Sequence, residues 1–378
     1  MTPSPNPLAH RSQAGQAAQV GQAGRAATIQ LRQAWSVPSR PRPIVVIGAG
    51  GIVRTAHLPV YQRLNFPVAG LFDINADASN ETARRFGVTR VFTSMAEAAA
   101  APDAVFDVAV PGDQIAGVLR ELPRGAAVLI QKPMGEDLAA ARAIVEICHD
   151  LGLVAAMNFQ LRFSPNVLAL RDILSSDRLG PIVDIEVRLV VKQPWHLWTF
   201  LERAPRLEIL YHSIHYLDTI RALVGEPRGV YCRAVSHPAM PEFRDTRSTI
   251  ILDYGEAVRC SLLMNHTHQQ TSTHCASFLK VEGTRGAAQL TMGVNLDYPK
   301  GPPDALEISL DGEGWKPVEL RGSWFIEAFE GPMSNLQRYV AGEDAALVSP
   351  VEDGLKTMAL VEACYQSNAA GGTPIPNL

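Results

Sequence analysis

The run Ile44-Val45-Val46-Ile47 stops at Gly48-Ala49-Gly50-Gly51, and this junction restricts the possible folds more than any other stretch of the chain. Four apolar, β-branched residues without polar interruption suit a central parallel strand covered on both faces. Glycines directly after such a strand, and before a helical segment over residues 52–64, allow a tight turn and close backbone approach to a pyrophosphate. The helix N-terminus adds amide donors and a favourable dipole. The third glycine of a Gly-x-Gly-x-x-Gly pattern would fall on Val53, so the loop alone is an incomplete signature. Asp73, ending a second strand over residues 68–72, strengthens it. A carboxylate there accepts hydrogen bonds from adenosine ribose hydroxyls and repels a 2′-phosphate. Neither Ile74 nor Asn75 offers a cation for such a phosphate, so NAD is expected in preference to NADP.

Strand and helix patterns alternate onward from there. Strands are expected at 90–92, 105–110, 127–130 and 154–158, with helices near 76–86, 95–100, 115–122 and 138–151. That rhythm predicts an α/β Rossmann domain with a doubly wound parallel sheet over residues 41–160. Beyond Gln160 the strand patterns become longer and more alternating, at 182–191, 229–236, 247–254, 257–265, 276–282, 287–291 and 306–310. Helices thin out to 165–175, 210–224, 325–341 and 351–370. Residues 161–378 therefore read as an α+β C-terminal domain with a large, mostly antiparallel open sheet. Residues 1–40, rich in Ala, Gln, Gly, Pro and Ser, read as a flexible leader or an arm, with a short helix over 26–34 as one reading.

Composition bounds the function. Charged residues make up 19% with a formal net charge of −4, which gives no basic surface for nucleic acid. No apolar stretch is long enough to cross a membrane, and no apolar core follows the N-terminal charges as a secretory signal would require. Five scattered cysteines without Cys-x-x-Cys spacing suit reduced thiols, and a cytoplasmic protein is expected.

Several motifs coincide with one family. Gly48-Ala49-Gly50-Gly51-Ile52 followed by His57-Leu58-Pro59, then Gln131-Lys132-Pro133, Asn158-x-x-x-Arg162-Phe163 and His215-x-x-Asp218 together resemble the Gfo/Idh/MocA oxidoreductases, from about Pro43 to the C-terminus. The resemblance implies NAD(P)-dependent redox chemistry on a sugar, cyclitol or related hydroxy compound. It implies a homodimer or homotetramer built through the C-terminal sheet. It also places Gly48, Gly50, Gly51, Ile52, Asp73, Pro111, Gln131 and Lys132 around the cofactor. Three positions depart from the pattern: Gln131 replaces a glutamate, Tyr211 stands where many members carry aspartate, and Ile115 where a histidine is frequent.

Alcohol oxidation needs a hydride acceptor beside the carbinol carbon and a base near its hydroxyl. Lys132 lies at the carboxyl end of a Rossmann strand, where ligands bind, and burial together with an oxidised nicotinamide would lower its pKa. His215 is the better-matched acid/base by intrinsic pKa. Lys132 and His215 are thus the candidate catalytic pair, His215 assisted by Lys132 taking the hydroxyl proton, with either of the two as the immediate base. His212, three residues before His215, shares its helix face. Tyr211, His212, Arg162 and Trp195 are candidate substrate contacts, Arg162 having a cofactor phosphate or a structural carboxylate as its other expected partners and Trp195 a packing role. Asp218 reads as an orienter of His215 or as a structural pair. A His-x-x-His spacing alone suggests a metal, but no third ligand is signalled and none is expected. His266, His268 and His274 read as a solvated or interface-facing group on a sheet, with substrate contact from the strand end as the other reading. Two other functions fit the same residues: a dinucleotide-sensing regulator without turnover, and a nonredox sugar enzyme that oxidises and re-reduces its substrate.

Overall fold

The computed structural model describes residues 30–376. Its first half is a five-stranded parallel sheet in the order β2-β1-β3-β4-β5. The strands are β1 (Ile44–Ile47), β2 (Val68–Phe72), β3 (Val105–Val108), β4 (Ala127–Gln131) and β5 (Val154–Asn158). Every residue of β1, β3 and β4 is buried, as their largely apolar runs require when helices cover both faces, Asp107 in β3 and Gln131 at the end of β4 being the polar exceptions. The strand expected at 90–92 is reduced to one parallel bridge from Val91 to Leu71 on the outer edge of β2. The chain leaves β1 toward β2 and later returns to β3 on the other side of β1. Such a reversal opens a crevice at the carboxyl ends of β1 and β3, where open α/β sheets bind ligands.

Local chemistry sets the helix ends. Asn75 and Asp137 cap the helices Ala76–Phe86 and Leu138–Leu151 by accepting from the amides of Ala78 and Ala140. Gly87 and Gly152 end them in the left-handed conformation. The segment after the glycine loop is a π turn, Val53–His57, running into the helix Leu58–Arg63. His57 is buried there, its Nδ1 2.8 Å from an Asp107 carboxylate oxygen that also accepts from the Tyr61 hydroxyl. Asn158 Nδ2 donates to His57 Nε2, so the ring proton sits on Nδ1 and points at Asp107. The histidine of His57-Leu58-Pro59 thus ties the first helix to β3 and β5.

The second half is an eight-stranded sheet in the order β13-β12-β11-β10-β6-β9-β8-β7, formed by β6 (Ile182–Val190), β7 (Gly229–Val235), β8 (Arg247–Asp253), β9 (Arg259–Asn265), β10 (Ala276–Gly283), β11 (Gly286–Thr291), β12 (Ala305–Leu310) and β13 (Trp315–Val318). All neighbours are antiparallel except β6 and β9. Edge strand β13 carries Pro317 and three exposed residues, so it lacks the alternating apolar signal that marks the other strands. The long helix expected over 325–341 is split into Trp324–Glu327 and Glu330–Val340. Leu217, Ile220, Ile250, Leu262, Val361 and Cys364 pack into the same continuous core as Ile130 and Ile144, which joins the two halves.

Arg162 sits at that junction. Its guanidinium forms a two-pronged pair with Asp218 at 2.7 and 2.6 Å, reaches Asp353 at 2.5 Å and donates to the Val348 carbonyl at 2.8 Å. Both Arg162 and Asp218 are buried. The alternative in which Arg162 contacts substrate is therefore corrected: its donors bind the helices Ile214–Val224 and Val351–Ala370. Asp218 likewise serves this pair and Thr357 rather than orienting His215.

Residues 30–40, expected to belong to a flexible leader, are tied down from Arg32 onward. Arg32 pairs with Asp172, the Trp35 indole donates to Asp344, and Ser39 binds Glu343. The helix considered over 26–34 is not formed at 30–34, and residues 26–29 lie outside the described residues.

Candidate active site

Four strand ends converge on the crevice. Gly48 has φ +107°, and a Cβ there would lie 2.3 Å from the Ala109 carbonyl oxygen at the end of β3, so only glycine fits. Gly50 and Gly51 face open space, with no atom within 4 Å of a built Cβ, and the helix begins at Gly51. They line a cavity together with Ile52, Ala109, Val110, Pro111 and Gly112. Asp73 holds the loop: one carboxylate oxygen accepts from the Ala49 amide at 2.7 Å, the other from Asn75 at 2.8 Å. Each oxygen keeps a lone pair for a further donor. Val53, at the missing third glycine, is fully buried in the core beneath the loop. Open glycines at a helix N-terminus and an anchored carboxylate one strand away fit a dinucleotide.

The cavity, of about 430 Å³, continues past Gln131 and Lys132 into the second half. Lys132 Nζ donates to the Tyr211 carbonyl at 2.8 Å, and burial lowers the amine to about 7. Tyr211 and His212 lie on the π turn Ile209–Ser213, and His215 on the first turn of the helix Ile214–Val224. Burial holds both histidines well below the usual imidazole range. Repulsion from neighbouring basic groups adds to the shift, chiefly from His266 and Lys132 on His212 and from Lys132 on His215. His212 Nε2 and His215 Nδ1 are buried without a partner among the described residues, as are the amide oxygens of Gln131 and Gln160, which also line the cavity. The site therefore presents a near-neutral amine, uncharged imidazoles and unpaired acceptors to a small space. Among the described residues no group of His, Cys, Asp and Glu is placed to hold a metal ion.

The expected residues Gly50, Gly51, Ile52, Pro111, Gln131, Lys132, Tyr211, His212 and His215 thus line one cavity, with Gly48 and Asp73 supporting its loop. Trp195 does not line it. Its ring stacks on Phe243 at 4.7 Å and meets His212 edge-on at 5.6 Å, so packing behind His212 replaces the expected sugar contact. Its neighbour Trp198 does face the cavity. His266 also lines the cavity, and only the solvated reading of it is corrected. It follows the last residue of β9, where the chain turns inward, and is buried rather than solvated. Its ring lies 4.3 Å from that of His212, and its Nε2 is 3.3 Å from Glu208 Oε1 without hydrogen-bond alignment. Glu208 is itself buried and accepts from Ser213 and Ser248. Tyr298, Asn295, Phe325 and Phe329 complete the wall from segments that carry no sequence signal of a site.

Comparison with known proteins agrees with this geometry. Residues 42–159 match the GFO_IDH_MocA family, described as an oxidoreductase family with NAD-binding Rossmann fold, and residues 171–376 match its C-terminal alpha/beta domain. A D-apiose dehydrogenase of Paraburkholderia graminis is 23% identical over 87% of this chain and 88% of its own length. An inositol 2-dehydrogenase of Rhizobium meliloti is 23% identical over 86% of this chain and 96% of its own. The fold matches that of an oxidoreductase from Agrobacterium radiobacter, solved in complex with NAD+, L-tartaric acid and magnesium, at a TM-score of 0.75 and 19% identity over 87% of this chain and 97% of that one. The two matched regions span nearly all of the described chain, which therefore belongs to the Gfo/Idh/MocA oxidoreductases, its parallel sheet being their NAD-binding Rossmann domain.

Proposed function

We propose that this enzyme transfers a hydride between NAD and a hydroxyl-bearing carbon of a sugar, cyclitol or related polyol. The observation that carries the reading is the Lys132 amine, lowered to about 7 by burial, set with two uncharged histidines in the cavity that begins at the glycine loop. NAD, when bound, supplies the hydride acceptor. Gly50, Gly51 and the helix N-terminus hold its pyrophosphate, and Asp73 its adenosine ribose. The unpaired oxygens of Gln131 and Gln160 accept from substrate hydroxyls. Lys132 takes the proton of the reacting hydroxyl, because its pKa near neutrality suits both giving and receiving a proton. His215, a far weaker base in this setting, orients the same oxygen. That order reverses the one suggested by intrinsic pKa values. Relatives named as D-apiose and inositol dehydrogenases support the substrate class.

The test is a panel of sugars, cyclitols and other polyols with NAD or NADP, followed by absorbance of the reduced nicotinamide. Turnover is expected with NAD favoured. Asp73→Ser is expected to shift the NAD-to-NADP ratio of kcat/KM toward NADP by about tenfold or more, since the carboxylate's repulsion of a 2′-phosphate is lost. Tight cofactor binding with no turnover of any compound would instead favour the sensing role.

The same reading includes a homo-oligomer. On the uncovered face of the large sheet Tyr231 pairs directly with Ile251, and Leu263 lies on the adjacent strand; all three are exposed. An apolar patch of this kind on a sheet suits a self-complementary interface. Light scattering is expected to give a dimer or tetramer, and Ile251→Glu with Leu263→Glu a smaller species. A cytoplasmic location is supported by five unpaired cysteines, four of them buried. No helix among the described residues is long and apolar enough to cross a membrane.

A further inference from the structure

We propose that the substrate of this site is a neutral polyol or cyclic diol carrying an aryl or comparable apolar group, and not a phosphorylated, nucleotide-linked or acidic sugar. The inference rests on the redox reading of the cavity and adds the chemical class of what enters it.

Among the described residues lining the cavity there is no arginine, aspartate or glutamate, and Lys132 is the one lysine. Its amine already donates to the Tyr211 carbonyl and is half deprotonated near neutral pH. A phosphate or carboxylate brought here would lose its hydration without gaining the arginine forks or fixed cations that anion sites use. Acidic groups beside Tyr211 aggravate this. Glu136 and Asp113, both exposed, lie close enough to raise the Tyr211 phenol, pushed up chiefly by burial to about 12. They would repel an anion at the same wall.

The wall of the cavity is also rich in aromatic rings. Trp198, Tyr298, Trp324, Phe325 and Phe329 form a connected run of rings. Trp198 and Tyr298 lie 5.6 Å apart, Tyr298 and Phe325 5.3 Å, Trp324 and Phe325 5.4 Å, and Phe325 and Phe329 6.0 Å, mostly edge to face or tilted. All five line the cavity and all come from the C-terminal half, Phe329 reaching the Rossmann core beside His57 at 5.7 Å. Leu189, Val191 and Met292 add aliphatic surface.

Leu197 and Phe200 also line the cavity, yet they are 49% and 56% exposed. Large apolar side chains left open beside a cavity are covered when an apolar ligand enters. Phe200 is edge-on to Tyr211 at 5.9 Å, which extends the apolar surface to the residue that holds Lys132. The hydroxyl-bearing part of the ligand meets Lys132, His215 and the free glutamine oxygens. Its apolar part meets the rings.

The test uses the full-length enzyme saturated with NADH. Binding of benzyl alcohol, cyclohexane-1,2-diol, myo-inositol and inorganic phosphate is measured by quenching of tryptophan fluorescence and by calorimetry. Benzyl alcohol is expected to bind at least tenfold more tightly than myo-inositol, the gain that burial of one aromatic ring provides. Phosphate is expected to bind more weakly than any of the neutral probes. Trp198→Ala is expected to weaken benzyl alcohol about tenfold and leave the Kd for NADH unchanged. Phosphate or myo-inositol binding as tightly as benzyl alcohol would overturn the proposal, and so would failure of benzyl alcohol to bind at all. Turnover of the same neutral diols with NAD is measured alongside. Benzyl alcohol bound with the expected preference, but no NAD reduction by any diol or polyol, would leave this proposal standing and bring down the redox reading instead.

Discussion

Lys132→Met is expected to lower kcat by about a thousandfold, within the range set by loss of a positioned acid/base, while NADH still binds. In the proposed reading the glycine loop and Asp73 hold the pyrophosphate and adenosine ribose, and the Lys132 amine hydrogen-bonds to Tyr211 in the C-terminal half. The pH dependence gives an independent reading of the same group. Burial lowers the amine to about 7, so the free base that accepts a proton in alcohol oxidation accumulates above that pH. The rate of oxidation in wild type should therefore rise through about pH 7 and level off, and the reverse reduction, which needs the ammonium, should fall over the same interval. In Lys132→Met that limb should vanish. His215 is held well below 6.5 and adds no limb above neutrality. A variant whose oxidation still rises through pH 7 would show that another group is the base.

Arg162→Leu is expected to destabilise the fold by about 3–5 kcal/mol, the cost of leaving a buried charge without its partner, and to lower Tm by several degrees or more. Removing the guanidinium strands Asp218, fully enclosed, and Asp353 beside it. Arg221 does not restore the balance. It already serves Glu226, Asp353 and Thr357, and stands 4.0 Å from Asp218. KM for substrate should be unchanged in the fraction that remains folded, because Arg162 does not line the cavity. Thermal unfolding and steady-state kinetics on one preparation separate the two roles the sequence left open. A raised KM at unchanged Tm would return Arg162 to the substrate. Arg162→Lys should recover part of the stability at most, since an ammonium cannot make the two-pronged contact with Asp218.

The legible parts of this protein share a physical cause: they depend on short stretches of chain. The β1 run and its glycines announce a strand, a turn and a helix start, because burial on both faces and freedom of φ are properties of a few consecutive residues. The same holds for the caps at Asn75 and Asp137 and for the alternating strands β7 to β10. Lys132 and His215 were readable because each lies in a compact motif, and the structure brings both to one cavity.

What the sequence could not supply was decided by distance in space. An arginine reads identically whether it faces a ligand or a carboxylate, and only the packing of the helix Ile214–Val224 against Val351–Ala370 gives Arg162 its carboxylates. Trp195 and Trp198 are equivalent in sequence, yet one turn of chain sends the first behind His212 and the second into the cavity. His266 groups by sequence with His268 and His274 on a sheet, yet it follows the last residue of β9 and is buried beside the His212 ring. The order of basicity between Lys132 and His215 depended on burial and on each other's charge, quantities that no local pattern encodes. The sequence by itself determined the parallel sheet, its glycine loop and the position of Lys132, since backbone geometry and core burial are set locally. Tertiary structure alone decided which polar groups reach the cavity and how strongly each holds its proton, because those depend on neighbours that are distant in the chain and on the water their packing excludes.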